Sequence, residues 1–274
     1  MNTTKIEWCD KTWNPITGCL HDCEYCYARK QVRRFEGWNY SCGYCRMNVS
    51  GNKSYIYPNS HGIGFDTFKR NGNTLLEIDI DGCLEKGFIL NHKNAPYPIG
   101  FSPTFHGYRL GEPSKIKKPQ NIFVCSMADL FGEWVPDAWI NAVFEACKKA
   151  PQHRYLFLTK NSKRFRAFQS FHTENIWFGQ TITGIDGDFH SYAGYNTLLS
   201  IEPILGEFKA VDMWKHFRWV IIGAETGNRK GKIIPKREWI VSIVDECRRA
   251  NVPVFLKNSL REIWQDPLIQ EYPW

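Results

Sequence analysis

Residues 218–258 read RWVIIGAETGNRKGKIIPKREWIVSIVDECRRANVPVFLKN. The stretch opens on an apolar, β-branched run, Trp219 to Ile222, and turns polar at Glu225 and Thr226. It closes on a second apolar run, Val252 to Leu256, that ends in Lys257 and Asn258. Apolar residues on nearly consecutive positions describe a strand covered on both faces, as in a parallel sheet. Between the two runs, Ile240, Ile243, Val244 and Cys247 recur at i, i+3, i+4 and i+7, the spacing of one helix face. Strand, helix, strand is the βαβ unit.

The same grammar extends back toward the N-terminus. Apolar runs fall at 121–127, 154–160, 175–181 and 196–203, and segment 136–150 places Ile140, Val143, Phe144 and Cys147 at helical spacing behind a leading proline. Strand starts come about every 21 to 35 residues, a βα period. The expected class is α/β, as a barrel or a wound sheet. One feature favours the barrel: the strands end in residues a pure core would not choose. These are Ser126 and Asp129, Thr159 and Lys160, Gln180 and Thr181, Ser200 and Glu202, Glu225, and Lys257. Barrel active sites are built from strand ends and the loops after them.

Residues 37–117 read differently. They hold 11 of the 21 glycines and five prolines, with no sustained helical period, and their best strand is TLLEIDI at 74–80. The reading is an insertion at 37–117 between two parts of one domain, 1–36 and 118–274, with a first strand near KIEWCDKTWNP at 5–15. A net charge of +7 gives mild attraction toward nucleic acid or another polyanion. No apolar run reaches the roughly 20 residues needed to cross a bilayer, and the N-terminus has neither a charged n-region nor an apolar h-region. A cytoplasmic protein without a membrane partner is the expectation, and most of its ten cysteines are then reduced thiols, the clustered ones metal ligands.

The sharpest cluster is GCLHDCEYCYARK, residues 18–30, with Cys19, Cys23 and Cys26 spaced C-x3-C-x2-C and Tyr25 before the third cysteine. A structural zinc site usually takes four protein ligands, whereas three thiolates suit an iron–sulfur cluster with one iron left open. The motif resembles the signature of radical S-adenosylmethionine (radical SAM) enzymes. Together with NIFVCSMADLF, RYLFLTK, NIWFGQT, LLSIEPIL, WVIIGAETG and VPVFLKN, it looks like a phage-associated family of three-Cys-motif radical SAM proteins of unknown function. It is more distantly similar to spore photoproduct lyase, which repairs DNA. The resemblance implies a partial (β/α)6 barrel and a 4Fe–4S cluster on Cys19, Cys23 and Cys26. It also implies S-adenosylmethionine as cofactor and an electron donor such as flavodoxin or ferredoxin. The substrate class it suggests is a nucleobase in DNA or a nucleotide. Asp129, Lys160, Glu202, Glu225 and Lys257 are then the catalytic candidates, and Tyr25, Ser126, Thr159, Gln180, Ser200 and Gly223 the cofactor-binding ones. Where many such enzymes carry Gly-Gly-Glu, this chain reads SMADLF, so Ser126 and Asp129 stand in.

Other features carry competing readings. Cys42 and Cys45 form a second CxxC, a candidate zinc or auxiliary-cluster site whose further ligands would come from Cys83, His61 and His92. Arg29, Lys30, Arg33 and Arg34 share a helix face that is either solvated or a phosphate grip. Cys9 and Cys125 are either buried small residues or hydrogen-atom donors. Trp8, Trp13, Tyr25 and Tyr27 either shield a cluster or stack a base. Glu202 and Glu225 could serve as a general acid–base pair in a hydrolytic barrel. A different class of protein, a nucleic-acid-binding protein holding zinc on the thiols, is the alternative to the enzyme.

Overall fold

The computed structural model describes residues 1–32, 97, 101–184, 194–208 and 213–274, together with the backbone of six short strands between residues 39 and 90. In chain order the strands are β1 (Asn2–Thr3), β2 (Lys11–Trp13), β3 (Ile16–Thr17), β4 (Asn39–Ser41), β5 (Cys45–Ser50), β6 (Lys53–Pro58), β7 (Phe65–Arg70), β8 (Asn73–Asp79), β9 (Phe88–Leu90), β10 (Thr104–His106), β11 (Asn121–Val124), β12 (Arg154–Thr159), β13 (Ile176–Ile182), β14 (Asn196–Ile201), β15 (Trp219–Ile222) and β16 (Val254–Leu256). The helices are α1 (Tyr27–Val32), α2 (Asp137–Lys148), α3 (Arg237–Arg249) and α4 (Arg261–Trp264). The protein is mixed α/β with a mostly parallel main sheet, ordered β1-β2-β11-β12-β13-β14-β15-β16. The chain divides into two compact units, one of residues 1–2, 12–119 and 124–153, the other of residues 3–11, 120–123 and 154–274.

In the second unit β12 to β16 pair in parallel, each with its successor in sequence. The double-sided burial expected of them is present, and alternation decides which residue faces which layer. Leu199, Ile201, Val220, Ile222, Val254 and Leu256 pack with Ile240, Ile243, Val244 and Cys247 of α3. Their neighbours Leu156, Trp177, Leu198, Trp219, Ile221 and Phe255 point the other way, onto Trp8, Cys9 and Phe123. The four apolar positions of α3 are fully enclosed, as the periodicity requires. The C-terminal residues strap this sheet at its edge. Glu271 accepts from Val254 N at 3.0 Å and from both Arg248 Nη atoms, and Trp219 Nε1 donates to Glu271 O at 2.9 Å.

In the first unit, Ile140, Val143, Phe144 and Cys147 of α2 are likewise buried. The run expected at 121–127 is a shorter strand, ending at Val124. Cys125 takes φ +59°, a left-handed conformation that cannot continue a strand, and its carbonyl accepts from Ala128 N at 3.0 Å to form a turn. Between residues 39 and 90, β4, β5 and β6 form one antiparallel sheet and β7 and β8 another. The strand expected at 74–80 is β8, and the others, such as KSYIYP of β6, are rich in the aromatic and β-branched residues that favour extended backbone. Among the described residues no helix is long and apolar enough to cross a membrane.

Candidate functional site

The cysteine motif occupies the turn that leads into α1 in the first unit. Its entrance is set by Gly18, at φ +87°, where a Cβ would lie 2.2 Å from Ser102 O. Only glycine fits that approach. The turn is pinned by two backbone bonds, Gly18 N to Met127 O at 2.9 Å and Cys19 N to Phe101 O at 3.2 Å. Cys26 N donates to Cys23 O at 3.1 Å, and Arg29 N donates to Cys26 Sγ at 3.4 Å. Cys19, Cys23 and Cys26 are all free thiols and all partly exposed. Burial pushes the Cys19 thiol up to about 12, and the charges of Asp129, Cys26 and Cys23 add to that direction.

Two side chains not singled out in the sequence, His21 and Asn14, help brace this turn. His21 Nε2 lies 2.7 Å from Asp129 Oδ2, and its ring meets Trp134 edge-on. Asp129 Oδ1 also accepts from Phe131 N at 3.0 Å. Asn14 Oδ1 accepts from Ser126 Oγ at 3.2 Å and from Met127 N at 3.0 Å. Tyr27 donates its hydroxyl to Ser126 O. Asp129 and Ser126 are therefore brought to the cysteine turn. Arg29 is not a phosphate grip on an open face: it pairs with Asp22 at 2.9 Å, donates to Cys19 O at 3.3 Å and stacks over Phe101. Lys30 is exposed; Arg33, Arg34, Cys42, Cys83, His61 and His92 lie outside the described residues, and Cys45 is described only as the first residue of β5.

In the second unit the sheet register sorts the remaining candidates by face. Thr181, Ser200, Ile221 and Phe255 form one cross-strand row on the face floored by Trp177, Leu198 and Trp219. One step further along, Glu202, Gly223 and Lys257 continue that face. Lys257 Nζ is paired with Glu202 Oε1, and a Cβ on Gly223 would meet Lys257 Cδ at 3.0 Å and Glu202 Cγ at 3.3 Å. Ser200 is fully enclosed and its hydroxyl has no hydrogen-bond partner. Glu225, also buried, takes Arg229 through Nε and Nη2 at 2.8 Å each, and Ala224 N donates to Ser259 Oγ at 3.0 Å. Lys160 is partly exposed at the end of β12.

Thr159 and Gln180 pair with each other on the opposite face, in the row that continues through Leu199 and Val220. Thr159 Oγ1 accepts from Asn161 N at 2.9 Å, closing the turn after β12. These two are not brought to the polar row. Glu202 and Glu225 each face a cation of their own, so they do not form a carboxylate pair. Trp8 and Trp13 are core residues: Trp8 packs against Phe123 and Trp219, and Trp13 donates to Arg109 O at 2.9 Å. Neither can stack a base. Cys9 and Cys125 are buried, and burial pushes each thiol up to about 12.

Among the described residues no group of three or more His, Cys, Asp or Glu side chains is gathered as a site for one metal ion. A mononuclear zinc needs its sulfurs converging on a single point at about 2.3 Å. A cubane cluster takes each thiolate at a separate iron, so its ligands need not converge in that way. Three free thiols on one glycine-led turn are the donor type that such a cluster takes.

A model of the family described as "Protein of unknown function (DUF5131)" matches residues 3–59 and 89–264. No curated protein and no solved structure matches the chain.

Proposed function

Because the chain belongs to this family of proteins of unknown function, we propose from its own residues that it is a radical SAM enzyme, and the observation that carries the proposal is the trio of free thiols on the Gly18 turn. Cys19, Cys23 and Cys26 would hold a 4Fe–4S cluster, leaving one iron for S-adenosylmethionine. When bound, these cofactors supply reductive cleavage of the sulfonium and a 5′-deoxyadenosyl radical that abstracts hydrogen from substrate. The chain's own work is positioning. Arg29 ties the Cys19 carbonyl to Asp22, and His21 with Asp129 fixes the outer edge of the turn. Glu202 and Lys257 offer charged groups over an apolar floor, the composition of a small-molecule site. In this reading they orient polar groups of a bound small molecule.

The strand order supports the finer fold reading. From β12 to β16 it follows the chain without reversal, so these strands have no switch point of the doubly wound kind. We read them as an arc of a partial (β/α)6 barrel whose C-terminal strand ends carry the chemistry, with residues 37–117 as an insertion. A reductant of the flavodoxin or ferredoxin class would deliver the electron.

Anaerobic reconstitution with iron and sulfide tests the reading. A brown protein that forms 5′-deoxyadenosine from S-adenosylmethionine under dithionite supports it, and Cys23→Ala should abolish cluster loading. A colourless protein that holds stoichiometric zinc on residues 19–26 sinks it in favour of a zinc-bearing nucleic-acid-binding protein.

A further inference from the structure

The loop leaving β15, residues 226–237 (TGNRKGKIIPKR), carries Arg229, Lys230, Lys232, Lys236 and Arg237 and neither Asp nor Glu. It starts one residue beyond Glu225, whose buried carboxylate holds Arg229 by two bonds and so anchors the loop to the strand end. Gly227 and Gly231 bend it at φ +86° and +76°, with open space where a side chain would lie. Its far end is fixed by buried Pro235 and by Arg237, which pairs with Asp266 at 2.6 Å and donates to Trp264 O. Between these anchors Lys230 is exposed, Lys236 is exposed with its Nζ 5.9 Å from the Trp239 ring centroid, and Lys232 reaches only partway back, to Gly227 O at 3.3 Å.

The same span presents Ile233 and Ile234. Ile234 is 70% exposed, more than any other large apolar side chain among the described residues. A lone exposed isoleucine means little. Two in sequence, held between lysines on a loop anchored at both ends, match the way proteins pair phosphate contacts with an apolar wedge set against a base step. A membrane surface fits less well, because interfacial segments bury a long apolar helix face and this loop offers two residues.

We propose that this loop is a DNA grip: Lys230, Lys232 and Lys236 lie on the sugar–phosphate backbone and Ile233–Ile234 press against a base step, presenting the strand at the end of the sheet that carries Glu202, Gly223, Glu225 and Lys257. That the gripped strand is substrate rests on the radical reading above; the grip itself does not.

The test uses the full-length protein and short fluorescein-labelled duplexes, one with an unpaired base, in anisotropy titrations over a range of salt. Each phosphate contact contributes about 0.9 to the slope of log affinity against log salt, so K230A/K232A/K236A should lower the slope by about 3 and the affinity by tenfold or more. Ile234→Ser should weaken binding several-fold and leave the slope unchanged. Unchanged circular dichroism and melting in both variants exclude a folding defect. Variants that bind DNA like the parent, or a parent that binds anionic phosphatidylserine vesicles and not DNA, overturn the proposal. 5′-Deoxyadenosine formation is measured in parallel and should survive the triple substitution. If it forms while DNA is not bound, the grip fails alone. If DNA is bound by this loop and no 5′-deoxyadenosine forms, the radical reading fails alone.

Discussion

His21 Nε2 and Asp129 Oδ2 meet at 2.7 Å across 108 residues of sequence, tying the middle of the cysteine motif to the turn that follows β11. Asp129 is buried and spends its other oxygen on Phe131 N. Asp129→Ala removes both acceptors, and leaving a buried donor unmet costs about 1–3 kcal/mol. Urea unfolding should show a loss in that range. In the radical reading the same variant should load less iron on reconstitution, while His21→Gln, which keeps a hydrogen-bonding side chain, should load nearly as well as the parent.

Gly18 and Gly227 make a matched pair of backbone probes, with φ of +87° and +86°. Alanine at either pays the left-handed cost of about 1–2 kcal/mol. At Gly18 it also runs into Ser102 O, whereas at Gly227 it meets nothing. Gly227→Ala should melt a few degrees low with its cysteine turn intact; Gly18→Ala should fold poorly or fail to load iron. Equal behaviour of the two would mean that the packing around Gly18 does not shape the turn.

The Glu202–Lys257 pair lends itself to a double-mutant cycle. Either Glu202→Gln or Lys257→Met leaves a partly enclosed charge without its partner, while the double variant leaves neither. A coupling of about 1 kcal/mol or more, read from thermal or urea unfolding, is expected for groups in contact. Gly223→Ala should disturb the same pair from beneath, since its methyl would press on both stems. In the radical reading it should lower 5′-deoxyadenosine formation more than stability.

Alkaline pH should destabilise the fold through the enclosed thiols. Burial pushes Cys125 and Cys247 up to about 12 and Cys147 well above its usual range. A pKa raised in the folded state means that the folded protein holds the proton more tightly than the unfolded chain does. The contribution is complete below about pH 9 and drains away as pH climbs toward 12. Each such thiol then contributes a slope of about 1.4 kcal/mol per pH unit. Unfolding free energies measured from pH 8 to 10.5 should fall, and Cys247→Ala should flatten the fall. A parallel decline in that variant would assign it to other groups.

Periodicity made the helices and strands of the second unit legible, because burying both faces of a strand and one face of a helix writes itself into nearby residues. Ile240, Ile243, Val244 and Cys247 line the inner side of α3 for that reason. Site membership was legible only in part. Thr159 and Lys160, or Gln180 and Thr181, are neighbours in sequence yet point to opposite faces, so a polar strand end merges two sets that the register separates. Asn14 and His21 act through partners brought near by the fold, at separations of 112 and 108 residues. Nothing local announces such contacts. The turn at Cys125 was hidden for a related reason: VCSM reads as strand, and only the backbone bonds around it reveal the left-handed residue.

The floor beneath Ser200, Glu202 and Lys257 includes three indole rings, Trp8, Trp177 and Trp219. Indole emission responds to the polarity and charge of what lies above it. The protein thus carries an intrinsic optical gauge on that side of the sheet, and a bound molecule should announce itself by a change in tryptophan fluorescence without any label.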